Sequence, residues 1–228
     1  MIPYSDVLVV ANTIDRESGY VGQRLREHGL RLVTVYRDRG QVPLQPDPSV
    51  GMVLLLGSEW SVAEPVDRAA LDAECALVRS AVGAGIPVLG LCYGGQVVAA
   101  ALGGRVAQAP EPEIGLVTVE TADESVVPAG PWWAFHLDVI DAPPGAEVVA
   151  KNGCGAQAFA TERVLGVQFH PEVLPETLDD WCSRFPELVA DSGSTREGLV
   201  AQARAAEDDS RRAAYALVDA FLERGTRR

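Results

Sequence analysis

Hydrophobic residues in this chain fall into two kinds of run. One kind is short, continuous and rich in β-branched side chains; the other recurs at helical spacing. Residues 6–12 (DVLVVAN) are a run of the first kind, the pattern of a strand buried on both faces of a parallel sheet. Residues 20–28 follow with Val21 and Leu25 on one helical face, and Gly29 stops the helix. Residues 31–36 and 52–56 read as the second and third strands. Between residues 66 and 82, Ala70, Leu71, Cys75, Leu77 and Val78 keep helical spacing, and Gly83 and Gly85 end it. Residues 87–91 are a fourth buried strand, and 93–102 a helix of small residues closed by Gly103 and Gly104. The first half therefore reads β-α-β-β-α-β-α. That order predicts an α/β fold with a mostly parallel sheet, helices on both faces, and sites at the carboxyl ends of strands.

The pattern then changes. Residues 115–120, 132–140, 147–151, 156–160 and 164–169 are short strand-like runs, separated by turn signals such as Ala142-Pro143-Pro144-Gly145. They predict an antiparallel extension of the same sheet. From Pro175 onward the chain turns helical again. Ala214, Leu217, Val218, Phe221 and Leu222 share one face, so the last helix is expected to pack back on the body. The acidic run at 206–210 reads as a solvated helix start. Neither a repeat nor a low-complexity linker interrupts the chain, which predicts one domain over residues 1–228 with a helical tail from about residue 175.

Composition narrows the function. The 228 residues are 47% hydrophobic and 22% charged, as in an ordinary globular protein. The net charge of −13 repels phosphate backbones and anionic lipid, so neither nucleic acid nor membrane is expected as a partner. The segment beginning Met1-Ile2-Pro3-Tyr4 lacks the basic start and cleavage site of a signal peptide. Cys75, Cys92, Cys154 and Cys182 form no CxxC pair, and a chain this long buries a core without staples. A reduced, cytoplasmic protein with neither a zinc site nor a disulfide framework is expected.

One cysteine stands apart. Gly90-Leu91-Cys92-Tyr93-Gly94-Gly95-Gln96 sits where a buried strand meets a helix, and G-x-nucleophile-x-G at that junction is the pattern of a nucleophile elbow. The turn is tight enough to require small residues two before and two after the nucleophile, and Gly90 and Gly94 meet that requirement. A helix N-terminus also favours negative charge at Cys92. The plainer reading is a buried cysteine in a glycine-rich turn. Of the three histidines, His28 falls at a helix end beside Gly29, and His136 lies inside a strand-like run. His170 lies in Gly166-Val167-Gln168-Phe169-His170-Pro171-Glu172, where Pro171 stops the ladder. In extended chain His170 and Glu172 point to one side, so Glu172 is placed to orient the imidazole, as in a triad. A histidine at a strand end beside a solvated glutamate is the alternative.

Together the GLCYGGQ and GVQFHPE segments resemble the class I glutamine amidotransferase family, and within it free-standing proteins similar to the glutaminase domain of GMP synthetase. The resemblance implies a flavodoxin-like sheet and no cofactor. It also implies that Cys92 attacks the side-chain amide of L-glutamine, His170 relays protons and Glu172 orients His170. Gln96 matches a substrate-binding position. The oxyanion donors implied are the backbone N–H groups of Tyr93 and Ser58, with Gly57 beside them. Family members commonly carry Gly-Gly-Pro where this chain has Gly57-Ser58-Glu59, which leaves open whether the hole is complete without a partner. His136 and Asp138 are similar to a family segment that shapes the pocket near the glutamine.

The chain carries no GxxxxGK[ST] phosphate loop, so an ammonia-accepting synthetase or other biosynthetic enzyme, or a pre-activated acceptor, is implied as the counterpart. A hydrolase of γ-glutamyl amides or peptides would use the same three residues. A catalytically silent interaction subunit is the third reading. The helical tail offers a surface for a homodimer or a docking partner.

Overall fold

In the computed structural model, which describes residues 6–128 and 130–226, the alternating runs become one ten-stranded sheet. Its first part comprises β1 (Asp6–Ala11), α1 (Gly19–Glu27), β2 (Arg31–Tyr36), β3 (Val50–Leu55), α2 (Arg68–Gly83), β4 (Val88–Leu91) and α3 (Tyr93–Ala101). The second comprises β5 (Arg105–Val117), β6 (Glu120–Thr121), β7 (Trp132–Asp141), β8 (Glu147–Asn152), β9 (Gly155–Ala160) and β10 (Val164–Val167). Four helices follow: α4 (Pro175–Arg184), α5 (Pro186–Asp191), α6 (Arg196–Ala205) and α7 (Glu207–Thr226).

The strand order is β2-β1-β3-β4-β10-β9-β7-β5, with β8 on β9 and β6 on β8. Pairing is parallel from β2 to β10 and antiparallel beyond it. Side-chain alternation sorts the core into two layers. Val7, Val9, Met52, Leu54 and Leu89 face α1 and α7 through Val21, Leu25, Leu217 and Phe221. Leu8, Val10, Val53, Leu55 and Val88 face α2 and α3 through Leu71, Leu77, Val78 and Val97. The apolar face of α7 is thus spent on the chain's own core. A third cluster joins Trp133 of β7 to Leu178, Trp181 and Cys182 of α4, Val189 of α5 and Leu199 of α6.

The middle of the chain corrects the expected boundaries. The run at 115–120 is not one strand. Its first residues end β5, which begins ten residues earlier at Arg105, and its last opens β6. Pro110 and Pro112 hide the earlier part of β5 from a pattern search. The ladder tolerates them because β5 is a sheet edge and its register on β7 shifts between Gln108 and Glu113, where the prolines sit.

Candidate active site

Cys92 occupies the junction of β4 and α3 with φ 49° and ψ −111°, the sole non-glycine residue at positive φ among the described residues. Such a conformation costs about 1–3 kcal/mol and persists only where the surroundings impose it. Here they do. A Cβ on Gly90 would lie 2.4 Å from the Gly94 carbonyl oxygen, and one on Gly94 would lie 2.1 Å from that of Leu55. The elbow is wedged against β3, while the Cys92 N–H donates to the carbonyl of Val167 on β10 at 2.8 Å.

Because β10 inserts beside β4 in parallel, with Val167 opposite Leu91, the chain leaving β10 passes the thiol. The His170 N–H donates to the Trp133 carbonyl at 2.7 Å. Its Nδ1–H donates to Glu172 Oε1 at 2.7 Å, which leaves Nε2 for the cysteine. The Trp181 ring meets the imidazole edge-on, with centroids 4.6 Å apart. Cys92, His170 and Glu172 are all buried. Burial works against a charged ring, but Cys92 and Glu172 outweigh it and hold the His170 imidazole well above its ordinary value. The route to this pair differs from simple strand alternation. The ladder ends at Val167 and residues 171–172 form a turn, so Glu172 reaches His170 by folding back around Pro171.

The loop after β3 forms the facing wall. A Cβ on Gly57 would sit 2.8 Å from His170 Cε1 and 3.7 Å from Cys92 Cβ. Ser58 is not at positive φ, so its side chain brings no backbone strain. Its hydroxyl donates to Asn12 Oδ1 at 3.2 Å and accepts the Trp60 N–H at 3.0 Å, a turn closed by the serine itself. The Glu59 carboxylate turns outward to Arg184 Nη1 at 3.4 Å.

These walls enclose a cleft of about 640 Å³. Gln96 is buried in it, and its Nε2 donates to Gln168 Oε1 at 3.4 Å. Gln168 Nε2 in turn donates to Cys92 Sγ at 3.6 Å. Asp138 lines the cleft and accepts the Ser61 hydroxyl at 2.8 Å; burial pushes its carboxyl up. His136 lines it too, but both ring nitrogens face protein. Nδ1–H donates to the Asp138 carbonyl at 3.0 Å, and Nε2 faces the Glu113 carboxylate at 2.8 Å, off the line of a hydrogen bond. Neither ring nitrogen of His136 is therefore free to face the cleft. At the rim, Arg184 of α4 pairs with Asp15, Asp180 and Glu59 and so ties α4 to the loops after β1 and β3. His28 is not among the residues lining the cleft; it caps α1 and pairs with Asp219 at 2.6 Å.

Pattern reading passed over Arg37, Asn12, Gln168, Trp181 and Arg184. Gln168 alone carried a local signal, being two residues before His170. The others are brought in by the sheet and by α4.

This fold and this cleft define a class: an α/β protein with a cysteine at a strand–helix elbow, beside a histidine and a glutamate from the segment that follows the adjacent parallel strand. The glutamine amidotransferase class-I pattern matches residues 61–184, a segment that includes Cys92, His170 and Glu172. The chain belongs to the class-I glutamine amidotransferase family. It is 34% identical over 206 residues to the glutamine-hydrolysing GMP synthase of Thermomicrobium roseum, covering 83% of this chain and 38% of that protein. It is 33% identical over 158 residues to a glutamine-hydrolysing GMP synthase subunit of Sulfolobus acidocaldarius, covering 65% of this chain and 80% of that relative. The chain thus spans well under half of the T. roseum enzyme. A glutamine amidotransferase from Thermotoga maritima shares the fold, with a TM-score of 0.85 over 96% of this chain and 99% of that one at 23% identity.

Proposed function

We propose that this chain hydrolyses the side-chain amide of L-glutamine and delivers the ammonia to an acceptor handled by a synthetase-type partner. The observation that carries the reading is the buried Cys92–His170–Glu172 arrangement, with the His170–Glu172 hydrogen bond at 2.7 Å. The Cys92 thiolate attacks the amide carbon, and the carbonyl oxygen becomes an oxyanion. The backbone N–H groups of Tyr93 and Ser58 stabilise that charge. As the C–N bond breaks, His170 gives its proton to the departing nitrogen and ammonia leaves. The γ-glutamyl thioester remains on Cys92. Water then attacks it, His170 takes the water's proton, the C–S bond breaks and glutamate departs. Glu172 holds the imidazole with Nε2 toward the sulfur throughout. Gln96, Gly57, His136 and Asp138 shape the pocket.

The test is release of glutamate and ammonia from glutamine by the purified chain, with Cys92→Ser as control. Release in the wild type and its loss in the variant support the reading; equal release in both would sink it. One observation favours a second reading. The cleft of about 640 Å³ lies in the roughly 300–1,000 Å³ range of pockets that enclose drug-sized ligands. A γ-glutamyl amide or peptide fits that space as well, and faster cleavage of such a compound than of glutamine would make the chain a γ-glutamyl hydrolase.

A further inference from the structure

Arg37 sits in a short 3₁₀ turn (Arg37–Arg39) directly after β2, and its side chain is 0% exposed. A guanidinium this deep is tolerable only where its N–H groups find partners. Nε faces Glu74 of α2 at 3.1 and 3.2 Å. Nη1 donates to Asn12 Oδ1 at 2.7 Å and to the Gly57 carbonyl at 3.1 Å. Nη2 donates to the carbonyls of Val10 at 3.3 Å and Leu56 at 3.0 Å. One cation thus gathers the carboxyl ends of β1 and β3.

The Gly57 contact has a chemical consequence. A trans peptide is planar, so the Gly57 carbonyl and the Ser58 N–H point in opposite directions. Pinning that carbonyl on Arg37 turns the Ser58 N–H away from Arg37. The opposite side of this loop is the cleft, where Gly57 lies against His170 and Cys92. The far side of the same peptide is pinned as well, because Asn12 Oδ1 accepts from both Arg37 and the Ser58 hydroxyl. Arg37 also stacks on the ring of Tyr93, whose N–H is the other oxyanion donor, with its guanidinium carbon 4.8 Å from the ring centroid. Among the described residues, neither the Ser58 nor the Tyr93 N–H donates to a protein acceptor.

We propose that Arg37, with Asn12 and Glu74, is a positioning residue that holds the oxyanion hole ready in the free chain, through the orientation of the Gly57–Ser58 peptide. The proposal rests on the glutamine-hydrolysis reading above. It accounts for a working hole without the Gly-Gly-Pro sequence of the family. The serine side chain closes the turn and Arg37 sets the peptide.

Arg37→Lys in the full chain keeps a cation beside Glu74 but loses the fork that reaches two carbonyls and Asn12. Its kcat for glutamine is expected to fall about 10²-fold, the scale of losing one oxyanion donor. KM should move less than about 3-fold, because ground-state binding is not what Arg37 serves. Alkylation of Cys92 by iodoacetamide, which forms no oxyanion, should keep its wild-type rate. Leu217→Ala, on the α7 side of the core, is the control for destabilisation alone and should leave kcat unchanged below its melting temperature. If Arg37→Lys does not fold, Asn12→Ala removes the shared acceptor and should lower kcat about tenfold with the same unchanged alkylation. Unchanged kcat in the folded variant overturns the proposal. So does a parallel fall of kcat and alkylation, which would mark Arg37 as part of the scaffold only. A wild-type chain inert toward glutamine and γ-glutamyl p-nitroanilide alike would instead overturn the functional reading, and this proposal with it.

Discussion

Gly19 and Glu172 meet backbone to backbone. A Cβ on Gly19 would lie 1.6 Å from the Glu172 carbonyl oxygen, and that same oxygen accepts the Tyr20 N–H at 3.1 Å. The first turn of α1 therefore seats the turn that carries Glu172. The carboxylate that faces His170 is located through its own main chain, and Gly19, at φ +42°, leaves the room for it.

Gly19→Ala should displace Glu172 from His170. Misplacement by about 1 Å is enough to cost on the order of 10²-fold in rate. The expected result is a large fall in kcat with KM for glutamine little changed, read by steady-state kinetics.

Glu172→Gln tests the charge at the same place. The folded His170 value lies above the ordinary 6.5. Stability linked to this proton is therefore full below the unfolded value and is lost as pH rises through the folded one. Without the carboxylate the folded value falls toward the ordinary one. The alkaline limb of the kcat profile should move to lower pH, and the decline of stability over that window should flatten. The rate should drop about 10²–10⁴-fold. Rate and melting temperature measured across pH check both.

Gly94→Ala should dismantle the elbow. The added methyl group meets a backbone oxygen of β3 at 2.1 Å, which no side-chain rotation relieves. A loss of about 3 kcal/mol is expected, at the upper end for overpacking, together with all activity. Denaturant unfolding of the variant reads it.

Arg184→Met should loosen the rim. Three carboxylates that share one guanidinium would then face each other across the cleft mouth. The stability loss should be about 1 kcal/mol and shrink in high salt. KM for glutamine should rise while the alkylation rate of Cys92 stays the same, because the partners of Arg184 are Asp15, Glu59 and Asp180 at the rim and not the thiol.

Much of the site was legible in the sequence because the constraints on it are local. Gly90 marks the elbow through a clash with the Gly94 carbonyl four residues on, whereas the need for Gly94 comes from the Leu55 carbonyl of β3. Pro171 marks the end of a strand and the start of a turn. His170 and Glu172 lie close enough along the chain to meet by one fold-back. The early part of β5 was not legible, because edge position and the register shift opposite β7 decide whether Pro110 and Pro112 are tolerated.

The sequence by itself determined which segments are strands of a parallel sheet, where the tight strand–helix turn falls, and which cysteine and histidine are candidates for the chemistry. Each of these follows from side-chain size and period along a short stretch. Only the tertiary structure decided that β10 slips between β4 and β9, which sets His170 against Cys92. It also decided that Arg37 lies fully buried beneath the Gly57 loop. An arginine in a polar stretch reads as solvent-facing. Its burial is tolerable only because three carbonyls, an asparagine and a glutamate from separate parts of the chain converge on it, and that convergence exists in no local window.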